Sequence, residues 1–131
     1  MDSKIPASHL DLFEKKAFAH LATIMPDGSP QVSPVWVDYD GAHVLVNSAR
    51  GRQKDRNMVN RPKVALSILD PDDPYRYLLV RGVVIDHTTD GAVEHIHALS
   101  RKYRGRDYQH LKPGEVRVKY TIRPERVTAR G

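Results

Sequence analysis

The chain contains no cysteine. That absence excludes disulfides, thiolate nucleophiles and cysteine-ligated metals, and it accords with a reducing compartment. No apolar run approaches the roughly 18 residues of a membrane span, and the N-terminus lacks the basic-then-apolar order of a signal peptide. A cytoplasmic location without membrane contact is the expectation. Internal repeats, low-complexity tracts and a credible linker are also missing, so residues 1–131 are expected to form a single domain with one core. Negative charge is in short supply: 16 Asp and Glu face 21 Lys and Arg, a net charge of +5. A surface of that sign favours an anionic partner, whether a phosphorylated cofactor, a nucleic acid or a carboxylate-rich tail.

Catalytic constellations are equally scarce. Of the seven histidines, only His95 and His97 are close in sequence on a helix, and a separation of two residues turns them about 200° apart. They cannot chelate one ion as an i, i+4 pair could, so no metal site is expected. Ser33 and Ser48 have no histidine at a suggestive spacing and no nucleophile-elbow motif. Asp70, Asp72 and Asp73 alternate with prolines in a turn. Anchoring groups without an acid, base or nucleophile suit a protein whose bound cofactor supplies the reactive atom. They also suit a binder of single-stranded nucleic acid, for which Trp36, Tyr39, Tyr75 and Tyr77 offer stacking surfaces.

What the chain does have is a concentration of cations from Asn47 to Pro62. Arg50, Arg52, Lys54, Arg56 and Arg61 follow an apolar strand and a glycine, Gly51, with Asp55 the only acid among them. This reads as a strand end, a glycine turn and a short basic helix, whose free N–H groups and dipole suit a phosphate. At helical spacing Arg50, Lys54, Asn57 and Arg61 share one face.

The rest of the pattern is mostly β. Ser8 and Asp11 read as the capping residues of a short first helix with Leu10, Phe13 and Ala17 on one face. Phe18–Met25 and Lys63–Leu69 read as strands buried on both sides. Gln31–Tyr39 reads as one strand, confined by Pro34 to a sheet edge or a bulge. Asp40-Gly41 signals a hairpin to the strand His43–Ser48, and counting outward from that turn sets Ser33 almost opposite Ser48. Tyr75–Val84 is a long strand, with Gly82 marking a bend or close packing. Asp90 reads as the cap of a helix with Ala92, Ile96, Leu99 and Tyr103 as its apolar stripe. Residues 104–114 read as a polar loop, and Val116, Val118, Tyr120 and Ile122 alternate with Arg117, Lys119, Thr121 and Arg123 in a last strand that stops before Pro124. Hairpin connections imply antiparallel pairing, and closure into a barrel removes exposed edges.

The order and spacing of these pieces resemble the pyridoxamine 5′-phosphate oxidase-like family, within it the branch similar to F420-dependent reductases. The matching pieces are His20-Leu21-Ala22-Thr23, the run from Asp27 to Trp36, Ser48 with Arg50, Arg52, Lys54, Arg56 and Asn57, then Arg61-Pro62, Gly82 and the ending from Tyr120 to Val127. The resemblance implies a split β-barrel homodimer with two sites at the subunit interface. It implies that Ser33, Pro34 and Val35 lie along a tricyclic ring and that Arg52, Lys54 and Asn57, with Arg50, hold the phosphate and the start of an anionic tail. Tyr75 and Tyr77 match aromatic positions that close over cofactor or substrate, possible catalytic groups from the partner subunit. The expected activity is hydride transfer from reduced coenzyme F420, the deazaflavin, to an unsaturated or quinone-like small molecule. The alternatives are an FMN-binding flavoprotein of the same fold, a cofactor carrier without turnover, and a single-stranded nucleic-acid binder.

Overall fold

The structure, a computed structural model, describes residues 3–131. A 3₁₀ helix, Ala7–Phe13, leads into strands β1 (Ala19–Ile24), β2 (Pro30–Val35), β3 (Asp38–Tyr39) and β4 (Val44–Ala49). Helix α1 (Gln53–Asn60), strands β5 (Lys63–Asp70) and β6 (Asp73–Thr88), helix α2 (Ala92–Arg104) and strand β7 (Arg117–Arg130) follow. All pairings are antiparallel, in the order β2-β1-β5-β6-β7-β4-β3. No helix among the described residues is long and apolar enough to cross a membrane.

The two ends of that order are consecutive in the chain, separated only by Trp36 and Val37. One short stretch therefore supplies both edges of the sheet, which requires the sheet to roll up until its edges lie side by side. The result is a split β-barrel with peripheral helices, mostly β as expected. The stretch Gln31–Tyr39 is accordingly two strands and not one. At the corner between them, the Val37 N–H donates to the Tyr103 hydroxyl at 3.2 Å and the Val37 carbonyl accepts from Lys102 Nζ. Two α2 side chains thus satisfy the backbone groups that leave the ladder.

This break overturns the expected juxtaposition of Ser33 and Ser48. Ser33 pairs with Leu21 on β1, whereas Ser48 pairs with Val118 on β7. Pro34 does lie on an edge strand, in unbroken register with His20 and without a bulge.

Several local expectations also change. The first helix is 3₁₀, and its three-residue period buries His9 and Leu12, with Phe13 beside them, while leaving Leu10 exposed. Its N-cap is Pro6, without a side-chain cap; Asp11 instead binds Arg76. Gly91, not Asp90, caps α2, but Ala92, Ile96, Leu99 and Tyr103 form its buried stripe as expected. β1 and β5 bury only one face each: Leu21, Leu66 and Ile68 enter the core, while His20, Ala22, Ala65 and Ser67 line an open groove of 440 Å³. β7 continues through Pro124 to Arg130. Its partner Gly82 faces Pro124 where the pairing skips Glu125, so the proline sits at a bulge that does not need its missing N–H.

Candidate functional site

The basic segment is organised by its one acid. Asp55, buried in the first turn of α1, accepts from the Tyr120 hydroxyl at 2.5 Å and Arg50 Nη1 at 2.9 Å on one oxygen. Its other oxygen accepts the Gly51 N–H at 2.9 Å. Gly51 itself has φ +95°, a left-handed turn that glycine adopts without penalty. The tyrosine comes from the barrel core, so this carboxylate locks the glycine turn and helix start to β7. Burial, with Asp55 alongside, pushes the Tyr120 hydroxyl pKa far up and keeps it a donor.

That arrangement divides the cations. Arg50 is committed to Asp55, Arg56 to the Gly51 carbonyl and Gln53, and Arg61 to the Ile24 carbonyl and Asn57. Arg52 and Lys54 instead enter a cleft of 260 Å³, where Arg117 joins them. Pro34, Val35 and Trp36 at the barrel corner line it too, with the buried Ile96 and Leu99 of α2 and with Arg104, Tyr108 and His110. Trp36 is fixed by stacking on Tyr103 at 5.3 Å and by the Tyr108 ring edge-on at 6.2 Å.

The cleft's electrostatics are lopsided. Glu115 is its nearby acid, with Oε1 accepting from Arg52 at 3.2 Å and from Arg117 at 3.4 Å. Lys54 has no hydrogen-bond or ion-pair partner among the described residues. Burial, then the neighbouring charges of Arg52 and Arg117, lower its pKa. Three cations against one carboxylate leave a half-buried site short of negative charge, which a bound anion would correct.

The structure therefore brings Pro34, Val35, Arg52 and Lys54 to one cleft, with Ser33 one residue away. Arg50 and Ser48 are not brought there: the first is paired as above and the second is buried with its hydroxyl unpartnered. Asn57 is also elsewhere, buried against β1, where its amide donates to Thr23 Oγ1 at 3.0 Å and accepts from Gln53 at 2.8 Å. Tyr75, 85% exposed, and Tyr77 lie near the β5–β6 turn and do not line the cleft. Sequence reasoning missed Glu115, Arg117 and Asn47. Arg117 sat in the polar phase of an alternating strand, yet it is buried and Val116 is exposed; only the neighbouring acid in Glu115-Val116-Arg117 hinted at a pair.

A larger groove, the 440 Å³ one on the outer face of β1, β5, β6 and β7, is mainly apolar and carries two cations, Arg81 and Arg126, against the four of the smaller cleft.

Residues 5–130 match the family model described as pyridoxamine 5′-phosphate oxidase. Among solved structures, an F420 reductase is 37% identical, with TM-score 0.85 over 95% of this chain and 98% of that one. A conserved hypothetical protein from Mycobacterium tuberculosis is 22% identical, with TM-score 0.74 over 98% of this chain and 86% of that one. HupZ from Group A Streptococcus is 20% identical, with TM-score 0.70 over 96% and 94%. The last two share the fold.

Proposed function

The chain belongs to the pyridoxamine 5′-phosphate oxidase family, and from that premise we propose that it is a coenzyme F420-dependent oxidoreductase reducing an unsaturated or quinone-like small molecule. The observation that carries this reading is the cleft that Arg52 and Lys54, the latter unpaired among the described residues, share with Pro34, Val35 and Trp36. When bound, the reduced deazaflavin supplies the hydride. The chain's own residues bind, orient and exclude water. Arg52 and Lys54 hold the anionic tail, and the backbone at Ser33, Pro34 and Val35 forms the wall for the flat head. Ile96, Leu99 and Trp36 keep that end apolar, which aligns the reacting partners and excludes solvent. The proton comes from solvent or from a tyrosine hydroxyl; Tyr108 is the one this protomer's cleft offers, and Tyr75 and Tyr77 would come from a partner subunit.

Two features support the longer anion over FMN. FMN ends in one phosphate, whereas the deazaflavin tail carries a phosphodiester, a carboxylate and glutamate. Arg52, Lys54 and Arg117, with Arg104 at the rim, outnumber what one phosphate needs. The similarity to an F420 reductase at 37% identity points the same way.

A homodimer completes the proposal. The cleft of one protomer, 260 Å³, falls below the roughly 300–1,000 Å³ of small-molecule sites. The open apolar face with Val32, 65% exposed, and Leu79 gives a second copy a surface to cover.

The test is a titration of purified apoprotein with FMN and with F420, followed by cofactor fluorescence. Tighter binding of F420 is expected. Micromolar FMN binding with no response to F420 would overturn the assignment in favour of a flavoprotein. Binding of neither, with salt-sensitive affinity for an oligonucleotide, would overturn it in favour of a nucleic-acid module.

A further inference from the structure

Arg117 is 4% exposed, although it lines the cleft. Burial of a guanidinium is costly unless its protons are used and its charge is met. Its Nε and Nη2 both donate to Asn47 Oδ1, at 2.9 and 2.7 Å, and its Nη1 reaches Glu115 at 3.4 Å. These contacts use three of the five N–H groups of a guanidinium. The main acceptor is a neutral amide, and the single carboxylate is shared with Arg52. Two N–H groups remain, and beyond the shared carboxylate the charge is met by the face of the Tyr108 ring, 5.4 Å from the guanidinium carbon, at a residue that lines the cleft.

Asn47 is itself held from behind. Its Nδ2 donates to the Ala92 carbonyl at 2.9 Å and to His95 Nδ1 at 3.1 Å. With both amide protons directed at α2, the amide oxygen must face Arg117. The His95 Nδ1 is then an acceptor, which places the ring proton on Nε2, 3.7 Å from Asp38 Oδ2. β4, α2 and β7 thus each contribute one member of a relay that ends on the cleft wall.

We infer that Arg117 is a ligand-binding cation of this cleft, acting with Arg52 and Lys54 on an anionic group, and that Asn47, oriented by His95, is the positioning residue that aims it. The inference rests on the reading of the cleft as a cofactor site and names a residue of that site. Asn47 and Arg117 suit this task because their Cα positions are diagonal across the β4–β7 ladder, Asn47 opposite Lys119 and Arg117 opposite Ala49, so the contact is built into the register.

The probe is inorganic pyrophosphate, titrated calorimetrically into the full chain, with melting temperature measured on every variant. Arg117→Gln is expected to weaken binding about tenfold or more, since a charge-assisted hydrogen bond is lost. Arg117→Lys, the fallback should the glutamine variant not fold, keeps the charge but loses the two-pronged hold and is expected to weaken binding severalfold. Asn47→Leu is expected to weaken binding severalfold, with partial recovery in Asn47→Gln. The double variant Arg117→Gln/Asn47→Leu is expected to bind no more weakly than Arg117→Gln alone. Wild-type pyrophosphate affinity in both Arg117 variants, with melting temperature lowered, overturns the inference and leaves a structural arginine. Fully additive losses overturn the role of Asn47. Failure of the wild type to bind pyrophosphate overturns the anion site altogether, whereas pyrophosphate binding without F420 or FMN binding retires the cofactor proposal and leaves Arg117 as an anion ligand.

Discussion

Two buried carboxylates show how single residues anchor this fold. Asp55 ties the basic turn to the core hydroxyl of Tyr120. Asp70, at the end of β5, does the corresponding work at the other side of the barrel: it accepts the Asp72 N–H at 2.9 Å, Lys15 Nζ at 3.0 Å and Arg76 Nη1 at 2.8 Å. The Asp72 N–H, followed by Lys15 and Arg76, holds the Asp70 carboxyl well below the ordinary carboxylate range. A carboxyl with a lower pKa in the folded than in the unfolded chain contributes stability above its unfolded value, about 4, and that contribution disappears as the pH falls toward the folded value. Asp70→Asn should therefore lower the urea midpoint at pH 7 and flatten its fall below about pH 4. A variant with the same steep acid dependence as wild type would show that other carboxylates control it.

At the scale of elements, the barrel depends on places where regular pairing is interrupted. The chain leaves one sheet edge at Val35 and joins the other at Asp38, with α2 side chains bonding to Val37 between them. Period-two alternation shows strands but is blind to such a corner, because Gln31–Tyr39 keeps strand-like residues throughout; the sequence therefore reads as one strand where two exist, and a count from the turn sets Ser33 against Ser48. Pro34 was more informative, since a missing N–H excludes a central position. Gly82 was legible as a site of close packing: a Cβ there would lie 2.5 Å from the Arg123 carbonyl oxygen and 2.9 Å from Ile122 Cγ2. The first of these is backbone in the paired strand and cannot swing away. Gly82→Ala should cost about 1–3 kcal/mol of unfolding free energy, as overpacking does, measured by urea denaturation. Wild-type stability would mean that the β6–β7 bulge relaxes to admit the methyl group.

At the scale of the molecule, the barrel class, the edge strand and the importance of the basic segment could be read from composition and order. Which cations face the ligand could not, because helical spacing gives a face but not the partners waiting on it. Arg50 and Lys54 share a face in the wheel, yet a buried acid takes the first and no described residue takes the second. Arg117 and Asn47 join the cleft only through tertiary pairing of β4 with β7, and no local pattern encodes that. The half-buried ammonium of Lys54, unpaired among the described residues, is the group proposed to receive the anion. The most direct measurement is the F420 dissociation constant of Lys54→Ala beside its melting temperature. One lost charge-assisted hydrogen bond, about 1.5–3 kcal/mol, predicts affinity weaker by roughly 10–100-fold at an unchanged or slightly raised melting temperature. Unchanged affinity with a lowered melting temperature would contradict it.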